Sequence, residues 1–280
     1  MKNMTEERKG FEILGLSYAP NSNVHVERVI LAGIENYWFT PANITSNEVV
    51  VYLHGGAFTM GSIKSHKAMV SHIANAMGRK ILFVEYSLAP EKSFPAALHE
   101  ATAVIQALLQ ATPALQFGIM GDSCGGNLAL STALNLKNRN LPLPRYQVLI
   151  SPWLNLENNY PSYVQNEKLD PILTKAMLDG AMSLYAGTHD LKNPLLSPVQ
   201  GSLTGLSPTL TMVGAKEILR DDSIYLHEAL EQAGATSILK ILDDVTHVWP
   251  LTDIESRDSK EALRIIVDFL NTVSVELVHN

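Results

Sequence analysis

The sequence predicts an α/β fold built on a mostly parallel sheet. Apolar runs of strand length fall at 49–53, 81–85, 117–120, 147–150, 209–213 and 237–242. Several are continuous instead of alternating, as expected of strands covered on both faces. Helical patterns separate them, and regular strand–helix alternation defines the class. At 280 residues with 46% hydrophobic side chains, the chain suits one large domain with an ample core.

In chain order, Val24–Leu31 and Tyr37–Phe39 are expected to add antiparallel strands at one edge of the sheet. Helical spacing covers Ser65–Met77, Ala96–Leu109, Gly125–Lys137, Asp222–Ala233 and Glu255–Asn271. Two regions break the rhythm: Met1 to about Pro20, and Glu157 to about Leu191. In the second, Leu173, Met177 and Leu184 share one helical face. That face suits either a helix packed on the core or a cap over a site.

The chemistry concentrates at Gly121-Asp122-Ser123-Cys124-Gly125-Gly126-Asn127, which fits G-x-S-x-G between an apolar strand and a helical pattern. A serine in such a strand–turn–helix stands alone above the sheet, and small flanking residues permit the tight turn. Ser123 is thus the candidate nucleophile. Upstream, Val49–Leu53 runs into His54-Gly55-Gly56-Ala57-Phe58. A carbonyl attacked by Ser123 develops an alkoxide that needs fixed N–H donors about 3 Å away. Gly55, Gly56 and Cys124 are the expected oxyanion donors, and His54 is expected to position the loop.

A general base is required. Of nine histidines, His25, His66, His72, His189 and His279 have polar or terminal surroundings and are expected at the surface. His99 and His227 each precede a Glu, but Ala103 and Glu231 stand where a second zinc-ligating His would be needed, so no metal site is expected there. His247 follows the strand-like Ser237–Leu242 on a loop with Trp249 and Pro250, a place from which it can lean over the sheet's C-terminal edge. The acid that orients it should lie between serine and histidine in the chain. Glu217 sits just past the strand-like Thr209–Val213 and is the favoured candidate, with Asp221 and Asp222 as alternatives in the start of the next helix.

Taken together, these motifs resemble the hormone-sensitive-lipase-like branch of the α/β-hydrolases, and within it the GDSAG-type bacterial carboxylesterases. His54–Phe58 resembles the branch's oxyanion loop. Val84-Glu85-Tyr86-Ser87-Leu88-Ala89-Pro90-Glu91 and Phe94-Pro95-Ala96-Ala97 resemble its Y-R-L-A-P-E and F-P-A-A segments. Ser151–Leu156 and Asn193–Pro198 resemble the flanks of its second cap region. The resemblance implies a mostly parallel sheet with helices on both faces, and a helical cap from about 1–20 and 157–191 over a single domain spanning 1–280. It also implies hydrolysis of short- to medium-chain acyl esters without a metal or organic cofactor. Three positions depart from the pattern: Ser87 for Arg, Cys124 for Ala and Glu217 for Asp.

The same triad suits amide or peptide hydrolysis, which stays open beside ester hydrolysis; the fold could also serve a non-catalytic receptor, but the presence of serine, acid and histidine together argues against that. A net charge of −7 with no basic stripe argues against nucleic acid as a partner. Gly56 to Gly61 has P-loop glycine spacing, but Ser62-Ile63 follows where Lys-Ser/Thr is required. No apolar stretch approaches the roughly 18 residues of a membrane span. Phe11–Leu16 is too short for a signal-peptide core, and the single cysteine excludes an intrachain disulfide, so a cytoplasmic location is expected. The last strand, Ser237–Leu242, could be an open edge pairing with a twin copy in a homodimer.

Overall fold

The computed structural model describes residues 4–276. Strands β1 (Val24–Leu31), β2 (Ile34–Pro41), β3 (Val49–Leu53), β4 (Lys80–Val84), β5 (Phe117–Asp122), β6 (Gln147–Ile150), β7 (Thr209–Gly214) and β8 (Ser237–Leu242) form one eight-stranded sheet in the order β1-β2-β4-β3-β5-β6-β7-β8. The β1–β2 hairpin turns through Ala32 and Gly33, whose φ values of 54° and 76° match the strand twist of a two-residue turn. It pairs antiparallel with β4, and from β4 to β8 every pairing is parallel. The parallel strands therefore end on one edge, where β3, β5 and β7 each run into a loop carrying chemistry.

Helices α2 (Ile63–Met77) and α8 (Arg257–Glu276) cover one face, packing Met69, Ile73, Ile266 and Phe269 against Val50, Tyr52 and Met212. Helices α3 (Ala96–Ala111), α4 (Cys124–Asn138) and α7 (Arg220–Gln232) cover the other, packing Leu98, Leu128 and Leu226 with Val51, Leu53 and Leu149. Alternate side chains of β3 thus enter opposite cores, which is why that strand reads as an unbroken apolar run. β8 is different: its residues are half-buried or exposed, with Ile241 at 43%, as befits a strand at the sheet edge.

The two regions outside the alternation hold α1 (Met4–Glu12), a 3₁₀ turn at Ile13–Leu16, α5 (Ser162–Gln165) and α6 (Lys175–Ala186). Of the two readings of the face carrying Leu173, Met177 and Leu184, packing on the core does not hold for its α6 residues. Met177 and Leu184 are exposed, whereas Leu178 and Tyr185 are buried. The cause is the Tyr185 ring, which lies flat on Phe58 with centroids 3.7 Å apart and meets Phe94 edge-on. Those contacts rotate the helix to bury the 178/185 side. His279, expected at the surface, lies outside the described residues.

Candidate active site

Ser123 joins β5 to α4 with φ 53° and ψ −124°, a strained conformation for a residue with a side chain. The flanking glycines are required by space. A Cβ at Gly121 would come within 2.2 Å of the Gly125 carbonyl oxygen, and one at Gly125 within 2.1 Å of the Leu53 carbonyl oxygen. The elbow therefore nests directly against the end of β3.

The Ser123 Oγ lies 2.9 Å from His247 Nε2, and His247 Nδ1 lies 2.7 Å from Glu217 Oε2. The carboxylate partner fixes the tautomer: Nδ1–H donates to Glu217, leaving Nε2 to accept from the serine hydroxyl. Glu217 is buried, and its second oxygen accepts the Gly214 N–H at 2.6 Å and the Ser151 hydroxyl at 2.7 Å. Ser151 also accepts the Val248 N–H at 3.2 Å, so one hydroxyl bridges the acid loop and the histidine loop. Sequence reasoning missed Ser151; only its place at the end of β6, beside β7, hinted at it. Burial disfavours the His247 imidazolium, but the Glu217 hydrogen bond and charge, with Asp170 and Asp122 further off, outweigh it and raise its pKa above the ordinary 6.5.

Asp221 and Asp222 do not meet the imidazole. Asp221 accepts the Ser162 N–H and pairs with Arg220, while Asp222 accepts the Leu154 and Asn155 N–H groups. Burial pushes the Asp222 carboxyl up to about 7. Both acids lie in the first turn of α7 and tie it to the chain leaving β6.

Two expectations require correction. Gly55 is not a free oxyanion donor: its N–H donates to Asp122 Oδ1 at 3.1 Å, and a Cβ there would sit 2.2 Å from Asp122 Oδ2. Among the described residues, the Gly56 and Cys124 N–H groups have no acceptor and remain open. Nor is His66 a surface residue. It is fully buried, with Nε2 3.3 Å from Asp122 Oδ2 and Nδ1 2.8 Å from Ser65 Oγ. Asp122 also accepts the Tyr52 hydroxyl at 2.7 Å, so the carboxylate before the nucleophile gathers the end of β3 and the loop after it.

His54 holds that loop from beneath. Its ring stacks on Tyr86 at 4.2 Å, and Nδ1 lies 2.7 Å from the Gly55 carbonyl oxygen. Burial, with His66 nearby, drives its pKa down to about 3, so it stays neutral. The Cys124 thiol is buried and pushed up to about 12 by desolvation; its sulfur accepts the Phe58 N–H at 3.1 Å and faces the Ala57 N–H. Ser87, one of the three departures from the resembled pattern, donates both its N–H and hydroxyl to the Glu100 carboxylate. Arg8 of α1 reaches over this region to the Thr59 and Ala89 carbonyls and to Glu91. No cluster of three His, Cys, Asp or Glu side chains that could hold a metal occurs among the described residues.

A nucleophile elbow, a hydrogen-bonded Ser–His–Glu row and open backbone donors on one sheet edge define a serine hydrolase of the α/β type. Residues 50–251 match the family described as alpha/beta hydrolase fold. An esterase of Acinetobacter venetianus is 33% identical over 92% of this chain and 86% of its own length. An acetyl-hydrolase of Streptomyces hygroscopicus is 33% identical over 85% of this chain and 80% of its own. The crystal structure of an esterase from the bacterial hormone-sensitive lipase family superposes with a TM-score of 0.93 at 32% identity, covering 97% of this chain and 92% of that one. The chain belongs to the alpha/beta hydrolase fold family and, within it, to the hormone-sensitive-lipase-like esterases; it is a carboxylic ester hydrolase.

Proposed function

We propose that the protein hydrolyses short- to medium-chain acyl esters through an acyl-enzyme on Ser123. The continuous contact from Ser123 to His247 to Glu217 carries this reading. His247 Nε2 accepts the hydroxyl proton as Ser123 Oγ attacks the ester carbonyl. The resulting oxyanion is held by the Gly56 and Cys124 N–H groups. Collapse expels the alcohol, which takes the proton from the imidazolium. Water, deprotonated by the same nitrogen, then attacks the acyl-enzyme and releases the acid. Glu217, accepting the Nδ1–H, stabilises the imidazolium.

Short acyl groups are favoured by the relatives: besides the acetyl-hydrolase, an ethyl acetate hydrolase of Pseudomonas putida is 31% identical over 79% of this chain and 72% of its own length. The segments 1–20 and 157–191 act as the cap of the single domain; the Arg8 contacts to Thr59 and Ala89 and the Tyr185–Phe58 stack support this. The exposed edge of β8 supports pairing with a second copy in a homodimer. No helix among the described residues is long and apolar enough to cross a membrane. A cytoplasmic setting fits the single cysteine, held as a buried free thiol.

A panel of p-nitrophenyl esters from acetate to palmitate, run on the wild type and on Ser123→Ala, tests the reading. Turnover should peak among the shorter acyl chains, and the variant should lose about 10⁴-fold or more in kcat. A variant that retains most of its turnover would show that the ester is cleaved by other means.

A further inference from the structure

The loop Ala215–Leu219 carries Glu217 but belongs to neither strand nor helix, so its backbone polar groups need partners from elsewhere. Several of them find those partners in the second cap segment. Asn166 Nδ2 donates to the Ala215 carbonyl at 3.1 Å and to the Glu217 carbonyl at 2.9 Å. Asp170 Oδ2 accepts the Ile218 N–H at 2.9 Å, while its Oδ1 accepts the Ile172 and Leu173 N–H groups, each at 2.9 Å. Ser162 Oγ donates to the Ile218 carbonyl at 2.6 Å. Asn166 and Asp170 sit one turn apart, joined by the Asp170 N–H to the Asn166 carbonyl, and both are almost completely buried. The segment thus meets the Ala215, Glu217 and Ile218 carbonyls and the Ile218 N–H, while the Ala215 and Glu217 N–H groups donate to the Leu242 and Gly214 carbonyls and the Glu217 carbonyl also accepts the Arg220 N–H.

We propose that this segment, beyond covering the site, is the support of the triad acid, and that Asp170 is a positioning residue acting on His247 through Glu217. The proposal rests on the triad reading above. Its geometry gives Asp170 two effects. Its hydrogen bond fixes the peptide following Glu217, so the carboxylate keeps its place under the imidazole ring. Its negative charge, acting on His247 more weakly than that of Glu217, favours the imidazolium that forms as Ser123 attacks. The charged groups facing His247 come from three directions: Glu217 on the loop after β7, Asp122 at the end of β5, and Asp170 from the cap. The Lys216–Asp244 pair lies outside this cluster, exposed at the surface.

Asp170→Asn tests both effects. An amide cannot accept with both of its heavy atoms, so one set of N–H partners is lost together with the charge. The expected result is a fall of about 10- to 100-fold in kcat on p-nitrophenyl butyrate with KM changed little, the scale of a small misplacement of a catalytic group. The acid limb of the kcat profile should move to lower pH, since removing a negative neighbour makes the imidazole easier to deprotonate. Asp170→Glu should recover the position of that limb. A cap role that is only structural leaves the limb where it is. Fluorophosphonate titration counts the competent sites, and kcat is expressed per titrated site, so partial misfolding does not enter the comparison. Should Asp170→Asn fail to fold, Asn166→Ala is measured in its place, with the kcat loss as the readout. Ser123→Ala runs alongside. If it is dead while Asp170→Asn matches the wild type in kcat and pH limb, this inference is overturned and the triad stands. If Ser123→Ala is active, the triad reading itself fails.

Discussion

Replacing Glu217 by Gln changes one atom and should nearly silence the enzyme. The wild-type carboxylate accepts from three donors: Gly214 N–H and Ser151 hydroxyl at Oε1, and His247 Nδ1–H at Oε2. Gln offers one oxygen and one NH₂. The Gly214 N–H is a fixed backbone donor, so the Gln oxygen turns towards it, and the NH₂ then faces His247 Nδ1. Two donors cannot face each other, so the imidazole shifts its proton to Nε2. Nε2–H no longer accepts from Ser123 Oγ, and the stabilising charge behind the imidazolium is gone as well. The same wrong-tautomer effect in a triad costs about 10⁴-fold in kcat. At about 1.36 kcal/mol per decade that is roughly 5.4 kcal/mol of transition-state stabilisation. Steady-state kinetics on p-nitrophenyl butyrate, with thermal melting to show that the fold persists, measures it. Asp221→Asn is the control, because that carboxylate binds Ser162 and Arg220 and does not touch the triad. A Glu217→Gln enzyme within tenfold of wild type, or an Asp221→Asn enzyme equally damaged, would show that the Glu217 carboxylate does not set the imidazole's tautomer.

Other consequences can be measured on the same protein. The raised pKa of His247 places the acid limb of kcat/KM above the ordinary imidazole value of 6.5, with activity rising as the ring loses its proton; a limb clearly below that value contradicts the carboxylate's influence. Gly125→Ala should destabilise the fold and abolish activity together, because the new methyl would sit 2.1 Å from the Leu53 carbonyl oxygen; a Tm within a degree or two of wild type would show that the elbow has room. The Cys124 thiol, buried and raised to about 12, should resist iodoacetamide at neutral pH until the protein is unfolded; rapid labelling of the native enzyme, read by mass spectrometry, counts against that burial.

Much of this fold is legible in the chain because its signals are local. β3 reads as a strand from five consecutive apolar residues, since two helical layers bury both its faces. The elbow reads from glycine spacing, because contacts at Gly121 and Gly125 leave no space for a side chain. Glu217 and His247 are found by their places just after β7 and β8, where parallel strands bring loops to a common edge. The misreadings all turn on direction. His66 has polar neighbours in sequence, yet α2 points its ring inwards to Asp122. Gly55 looks as available as Gly56 until Asp122 claims its N–H from sixty-seven residues away along the chain. The outward turn of Met177 and Leu184 follows from the Tyr185–Phe58 stack, a contact between distant segments that no helical periodicity records. Asn166 and Asp170 act through hydrogen bonds to the backbone of another loop, and Ser151 through the Glu217 carboxylate and the Val248 N–H; such partners leave no local pattern.

Ester hydrolysis by the proposed route requires Ser123 Oγ to take the acyl group. Intact-mass and peptide mass spectrometry of enzyme treated with a fluorophosphonate tests it most directly, with residual esterase activity followed in parallel. One adduct per chain is expected, on Ser123, formed in step with loss of activity and absent from both Ser123→Ala and His247→Ala. Activity lost with the adduct on another residue, or an unmodified Ser123 in fully inhibited enzyme, would contradict it.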